Sequence, residues 1–260
     1  INTDEKMLPS LLPHCKGTSI TRIELAADDI DVVAMARDGG STFELLGEAL
    51  ASGLSVMLTL LLDDRVIDNL GELYDLLNKQ GLTDNSRFEV GVCGREELHL
   101  CPLIRRQVPA SLSLMNRLYE TLMTDERAMR LFIPDFGGIK SLYEEENLPR
   151  PVFRACPGGR SFIAADLDGM IYPCAAFRGE EGRRLGSFYP GKSMNKKLVE
   201  EWEDRDVTGI KECRVCSLQL VCGGGCAARA LAKNDRLMSP DCMPVQELVE
   251  MGLSFFFDSE

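Results

Sequence analysis

The sequence predicts an α/β protein built of two unlike parts. Over residues 1–135, strand-like and helix-like stretches alternate, the pattern of βα units and a parallel sheet or barrel. Around residues 133–153 the alternation breaks in a run holding Pro134, Gly137, Gly138, Pro149 and Pro151, which reads as a linker. Beyond it the chain becomes short-stranded and glycine-rich, and seven of its ten cysteines lie after residue 155.

The elements follow in order. "TRIELAA" (21–27) reads as a strand. "STFELLGEALASG" (41–53) puts Leu46, Ala49 and Leu50 on one helical face and ends in Gly53. "LSVMLTLLL" (54–62) is a near-continuous apolar run, as expected of a parallel strand covered on both faces. "RVIDNLGELYDLLNKQG" (65–81) carries Val66, Leu70, Leu73 and Leu77 on one stripe and predicts a single helix closed by Gly81. "RFEVGV" (87–92) is the next strand and residues 111–132 the next helix. In the second part, "SFIAADLDGMIYPC" (161–174) predicts a β-hairpin turning at Asp168-Gly169. Residues 193–206 read as a helix anchored by Trp202, and a further helix starts directly on Cys226. The chain shows no internal repeat and no low-complexity segment.

Composition narrows the function classes. With 260 residues, the chain can form one large domain or two smaller ones, and 45% hydrophobic content suits a packed core. A formal charge of −12 without a Lys/Arg run argues against binding a phosphate backbone, so no nucleic acid partner is expected. The longest apolar run, residues 54–62, has the length of a strand and falls short of the roughly 18–20 residues of a membrane helix. No secretory leader is visible, and clustered cysteines in a chain able to form a core point to a reducing, cytoplasmic compartment with metal-bound thiolates.

The cysteine spacing carries the most chemistry. Cys156 is followed after twelve residues by Gly169 and after four more by Cys174, so the predicted hairpin folds Cys174 back toward Cys156. Then come Cys213-x2-Cys216-x5-Cys222-x3-Cys226 and, fifteen residues on, Cys242. A Cys-x2-Cys loop lets two thiolates reach one centre. Gly223, Gly224 and Gly225 permit positive φ and let bare N–H groups approach sulfur. Two zinc ribbons would need eight ligands, whereas four plus three suits iron–sulfur chemistry, in which one iron keeps an exchangeable position. Structural zinc sites stay open as the alternative, and disulfides fit the clustering poorly.

This layout, with "DGMIYPC", "LGSF" (185–188) and "CGGGC", resembles the SPASM domain of radical S-adenosylmethionine (radical SAM) peptide maturases across residues 156–242. Residues 37–62, "RDGGSTFELLGEALASGLSVMLTLLL", are similar to the middle of a radical SAM partial barrel, from its fourth strand through its fifth, with "INTDE" near the end of the third. The resemblance implies a partial (β/α) barrel lacking its first strands over 1–135, a linker over 136–155, a small α+β SPASM domain over 156–242 and a terminal helix or tail over 243–260. It implies two auxiliary 4Fe–4S clusters. Cys156, Cys174 and Cys226 would hold the nearer one, leaving an iron open or bound by another ligand. Cys213, Cys216, Cys222 and Cys242 would hold the farther one. Arg37 in "ARDGGS" matches an Arg of the family on the S-adenosylmethionine side.

The sequence also departs from the family. The Cys-x3-Cys-x2-Cys loop that binds the radical-generating third 4Fe–4S cluster is absent, and so is the glycine-rich segment that holds the methionine amino group. Both belong upstream of the third strand, and the chain starts at Ile1, so truncation is the expected cause, natural loss the rival. As printed, the chain should not cleave S-adenosylmethionine. Ala175 and Ala176 follow Cys174 where the sulfatase-maturing branch has an Asp, which disfavours that branch. Ala26 stands where relatives carry a Ser facing the nucleoside.

The remaining candidates read as structural. Cys15 suits a helix face, and Cys93 and Cys101 suit buried or idle thiols, although the loop after a barrel strand is also a place for function. His14 and His99 are expected to be exposed or hydrogen-bonded, and "LSFFFDSE" at the end is apolar enough to dock on the body or on a missing segment. The expected function is the C-terminal portion of a radical SAM/SPASM maturase acting on a ribosomally made peptide or protein. Its partners would be that substrate and a reductant such as flavodoxin or ferredoxin, with no membrane. The alternatives are a non-enzymatic iron–sulfur electron-transfer or binding module, and a zinc-ribbon protein.

Overall fold

The computed structural model describes residues 2–3, 8–15, 20–27, 41–94, 110–148 and 150–257, so Arg37, His99 and Cys101 lie outside the described residues. The chain divides into two compact units, the first ending at Pro134 and the second running on from Asp135.

The first unit is built on a parallel sheet in sequence order, β1 (Asn2–Thr3), β2 (Arg22–Ala27), β3 (Ser55–Leu62) and β4 (Phe88–Gly94). Helices Leu8–Cys15, Ser41–Ala51 and Leu70–Lys79 intervene between strands, as parallel connections require. The register pairs Leu25 with Leu58 and Leu58 with Val90, so one face presents Ile23, Leu25, Val56, Leu58 and Leu60, all buried. The other face mixes polar residues with Met57, Leu61 and Cys93. There the Thr59 hydroxyl donates to Glu24 Oε1 at 2.9 Å, both side chains buried, and Arg22 reaches Glu89 at 2.9 Å.

Two predicted helices are each split. The stripe at Val66, Leu70, Leu73 and Leu77 is buried as expected, but Asn69 leaves helical geometry (φ −107°, ψ 7°) between helices Asp64–Asp68 and Leu70–Lys79. Asp63 caps the first piece by accepting the N–H groups of Arg65 and Val66. In the 111–132 stretch, Asp125 turns extended, ends helix Leu112–Thr124 and caps Glu126–Leu131 by accepting the Arg127 N–H at 2.9 Å. At the second break the Asp125 side chain competes with the helix for its backbone, whereas Asn69 makes no side-chain cap bond.

The second unit starts inside the predicted linker, which is more structured than its prolines and glycines suggest. Residues 136–138 form a 3-10 turn and Ile139–Glu145 a helix. The terminal helix Val245–Phe257 packs on both. Tyr143 stacks on Phe256 at 5.0 Å between centroids, and Phe136 meets Phe255 at 5.6 Å. The apolar C-terminus thus docks on the stretch that its own aromatic residues complement.

The predicted hairpin forms as β5 (Ala164–Ala165) and β6 (Met170–Tyr172), extended by β7 (Gly186–Ser187) and β8 (Ser193–Met194) into an antiparallel sheet. Gly169 at φ +82° makes the turn. Helix Lys196–Glu203 follows, capped by Asn195, and Trp202 packs edge-on to Phe177 at 5.8 Å in the core, as its reading as an anchor expects. Among the described residues no helix is long and apolar enough to cross a membrane.

Candidate metal centre

Backbone pairing brings the cysteine segments together. The stretch leading to Cys156 lies along the stretch containing Cys222, with the Val152 N–H donating to the Leu220 carbonyl at 2.7 Å and the Ala155 N–H to the Gly223 carbonyl at 2.9 Å. The hairpin returns Cys174 to the same place, since the Gly159 N–H donates to the Pro173 carbonyl at 3.0 Å. Cys213 opens a 3-10 turn over 213–215, and the Cys216 N–H closes it onto the Cys213 carbonyl at 3.0 Å. The Asp241 N–H donates to the Gly224 carbonyl at 3.1 Å, which sets Cys242 beside the glycine run.

Gly223, Gly224 and Gly225 all adopt positive φ, at 65°, 82° and 69°. Glycine is needed here for conformation and for space. A Cβ on Gly223 would lie 2.5 Å from the Ala155 nitrogen, and one on Gly225 would lie 2.1 Å from the Asp241 carbonyl oxygen. The left-handed run ends helix Gln219–Cys222 and starts helix Ala227–Asn234 with Cys226 as its N-cap.

The thiols fall into two neighbourhoods. Cys213 has Cys222, Cys242 and Cys216 as its charge neighbours, and Cys222 has Cys242 and Cys216. Cys226 has Cys174, and Cys156, Cys174 and Cys226 are buried together with Tyr172, Phe177 and Trp202. Cys213 is buried in a separate small cluster with Val207 and Ile210. Although four residues apart in sequence, Cys222 and Cys226 therefore face different sets of thiols. Cys216 and Cys242 are exposed.

The donor set suits thiolate coordination. Burial pushes the Cys213 thiol up to about 11, with the neighbouring cysteines adding to it and Arg205 opposing. Burial also raises Cys222 and Cys226, opposed by the Gly224 N–H at the first and by the Arg229 and Ala228 N–H groups at the second. The Gly158 N–H approaches Cys156 Sγ at 3.4 Å and the Ala176 N–H approaches Cys174 Sγ at 3.5 Å. Backbone donors at sulfur, in otherwise costly burial, are what a thiolate-ligated cation needs: its charge removes the penalty and the donors tune it. No disulfide joins the nine described cysteines. Among the described residues no group of three or more His, Cys, Asp or Glu is arranged around a single metal ion.

Three other candidates belong to the first unit. Cys15 is buried at the end of helix Leu8–Cys15, Cys93 is buried on β4, and His14 is exposed. Two residues not singled out from the sequence bond to the segments that carry these thiols. Asp241 is wholly buried, accepts the Cys226 N–H at 3.2 Å and the Lys233 ammonium at 2.8 Å, and forms an ion pair with Arg229 Nε at 3.3 Å. Arg205, 2% exposed, donates to the carbonyls of Leu237, Gly225, Gly224 and Ser239 at 2.9, 3.3, 3.0 and 3.0 Å. Adjacency to Cys242 was a signal for Asp241; "EDRD" gives none for Arg205.

No protein-family model matches the chain, and no curated protein matches it. Solved structures do. Native anSMEcpe with bound AdoMet and Kp18Cys peptide matches with a TM-score of 0.51 at 13% identity, over 99% of this chain and 71% of that one. Native anSMEcpe with bound AdoMet matches at 0.50 and 14% identity, over 99% and 70%. At such identities the likeness is one of fold, a mixed α/β architecture with a parallel sheet, and it runs nearly the whole length of this chain.

Proposed function

We propose that the chain is the C-terminal portion of a radical SAM/SPASM maturase that modifies a ribosomally made peptide or protein. Cys156, Cys174 and Cys226 would hold one auxiliary 4Fe–4S cluster, and Cys213, Cys216, Cys222 and Cys242 a second. Residues 1–135 would form the partial barrel and 156–242 the SPASM domain. The observation that carries this reading is that Cys222 has Cys216 and Cys242 as neighbours whereas Cys226 has Cys174, which supports the two ligand sets that the family resemblance implies. Support comes from the shared fold with anSMEcpe, an anaerobic sulfatase-maturating enzyme solved with AdoMet and a peptide.

The residues present define what the chain contributes. Four thiols complete a cluster's ligation in the second group. Three thiols in the first leave one iron for a further ligand or for substrate. Such clusters, when bound, supply one-electron transfer at potentials set by burial and N–H···S bonding. The Gly158 and Ala176 N–H groups and the helix start at Cys226 would contribute to that tuning. The AdoMet side is a different matter, because the chain has no Cys-x3-Cys-x2-Cys sequence to hold the radical-generating cluster. Radical initiation, the peptide substrate, the flavodoxin-type reductant and a cytoplasmic setting all belong to the intact parent. Ala175 after Cys174 favours a substrate other than a sulfatase.

Anaerobic reconstitution of this chain tests the reading. Two 4Fe–4S clusters correspond to about eight irons and eight sulfides per chain. Two bound zincs without visible absorbance would refute it. Formation of 5′-deoxyadenosine by this chain alone would refute the assignment of radical initiation to the absent loop.

A further inference from the structure

Arg205 is the unexplained charge in the second unit. Its side chain is buried, yet among the described residues no carboxylate forms an ion pair with it. All four of its hydrogen bonds end on neutral backbone carbonyls. Removing a guanidinium from water is costly unless opposite charge lies near, and carbonyl dipoles replace only part of the hydration. The nearby carboxylate, Asp241, is engaged by Arg229 and Lys233. Thiols also lie around Arg205, Cys156 and Cys226 from one neighbourhood and Cys213 from the other.

The carbonyls explain its placement. Gly224 and Gly225 lie in the run joining Cys222 to Cys226, while Leu237 and Ser239 lie in the stretch leading to Cys242. One planar fork thus ties the joint between the two thiol groups to the segment delivering the last cysteine. A Cβ on Gly224 would come within 3.9 Å of Cys213 Sγ, so the carbonyls that Arg205 grips border both groups. Lysine cannot reproduce this, because a point ammonium lacks the fork that reaches four acceptors.

Resting on the two-cluster reading above, we propose that Arg205 is a shared positioning residue, fixing the Cys222–Cys226 joint against the Cys242 segment and placing one permanent positive charge beside both metal centres. A fixed cation stabilises the more negative, reduced form of each centre, so it raises both reduction potentials together. A purely structural arginine would not move two potentials in the same direction.

The test uses the full chain, reconstituted anaerobically, with redox titration of each centre followed by electron paramagnetic resonance. Arg205→Gln should make both centres harder to reduce, lowering the reduced-to-oxidised ratio about tenfold at a fixed potential, which is about 59 mV for one electron. Arg205→Lys keeps the charge and should shift both by clearly less, while losing iron faster to a chelator because the fork is gone. Unchanged potentials in Arg205→Gln at full iron content, or a shift at one centre alone, would overturn the proposal. If Arg205→Gln holds no iron, Arg205→Lys decides: iron loss to chelator at the wild-type rate overturns the positioning role, and faster loss with near-wild-type potentials supports it. Failure of the wild-type chain to take up iron would instead refute the two-cluster reading itself.

Discussion

The carboxylate of Asp241 accepts the main-chain N–H of Cys226 at 3.2 Å, across fifteen residues of sequence. This bond satisfies one of the donors that a helix start leaves open, and it ties the N-cap cysteine to the residue preceding Cys242. Asp241 also pairs with Lys233 at 2.8 Å and Arg229 at 3.3 Å, so one buried anion is shared by two cations of the same helix. Asp241→Asn keeps the shape and removes the charge. It should destabilise the metal-free chain by about 1–3 kcal/mol, the range for hydrogen bonds to charged groups. Urea denaturation of the metal-free protein measures this, and a wild-type midpoint would show that the buried carboxylate contributes nothing to folding.

Gly225→Ala should be more harmful than its size suggests. The residue sits at φ +69°, and the added Cβ would meet the Asp241 carbonyl oxygen at 2.1 Å. Gly179 provides the control, with φ +88° and open space around its Cβ position. Both alanines carry left-handed strain, on the order of 1–3 kcal/mol. Only Gly225→Ala also forces two backbone segments apart, so its thermal midpoint should fall well below that of Gly179→Ala. Equal midpoints would mean that the close approach of Gly225 to Asp241 is easily relieved.

The alternation of the first unit was legible because each element buries one apolar stripe, and a stripe survives small changes in backbone path. That is why Val66, Leu70, Leu73 and Leu77 were found correctly while the break at Asn69 was not. The break at Asp125 depends on which backbone groups a short polar side chain wins, a competition decided by local geometry, and the break at Asn69 is a change of backbone angle alone. Spacing alone suggested one site for the four clustered cysteines, and the division into two groups is an expectation that came from the family resemblance. Arg205 was not legible, because its partners are backbone carbonyls, and a carbonyl leaves no mark on the sequence. The helix at 139–145 was hidden for a similar reason. Its support comes from Phe255 and Phe256, more than a hundred residues away.

Cys222 and Cys226 should report on different centres. Their side chains lie among different thiols, so Cys222→Ala removes a thiol from the group of Cys213, Cys216 and Cys242. Cys226→Ala removes one from the group of Cys156 and Cys174. After anaerobic reconstitution each variant should keep roughly half the iron, and the surviving signals should be complementary in Mössbauer or electron paramagnetic resonance spectra. Loss of the same signal in both variants would break the partition.

The hairpin that delivers Cys174 should be acid-sensitive through Asp166. Its carboxyl is held below the usual range by the Met170 N–H, then by the Tyr172 hydroxyl and the Asp168 N–H, with Arg184 adding charge attraction. A carboxyl depressed in the folded state contributes stability that is complete above its unfolded value, about 3.9, and that fades as pH falls through the folded value. Asp166→Asn lacks this contribution at every pH. The gap in thermal midpoint between wild type and Asp166→Asn should therefore hold steady from pH 7 to about pH 5, then narrow below about pH 4. Amide exchange at Met170 should quicken in the variant at neutral pH, because the acceptor oxygen at 2.8 Å becomes a neutral amide. A gap that stays constant down to pH 3 would show that the turn is held by its backbone geometry and Gly169 alone.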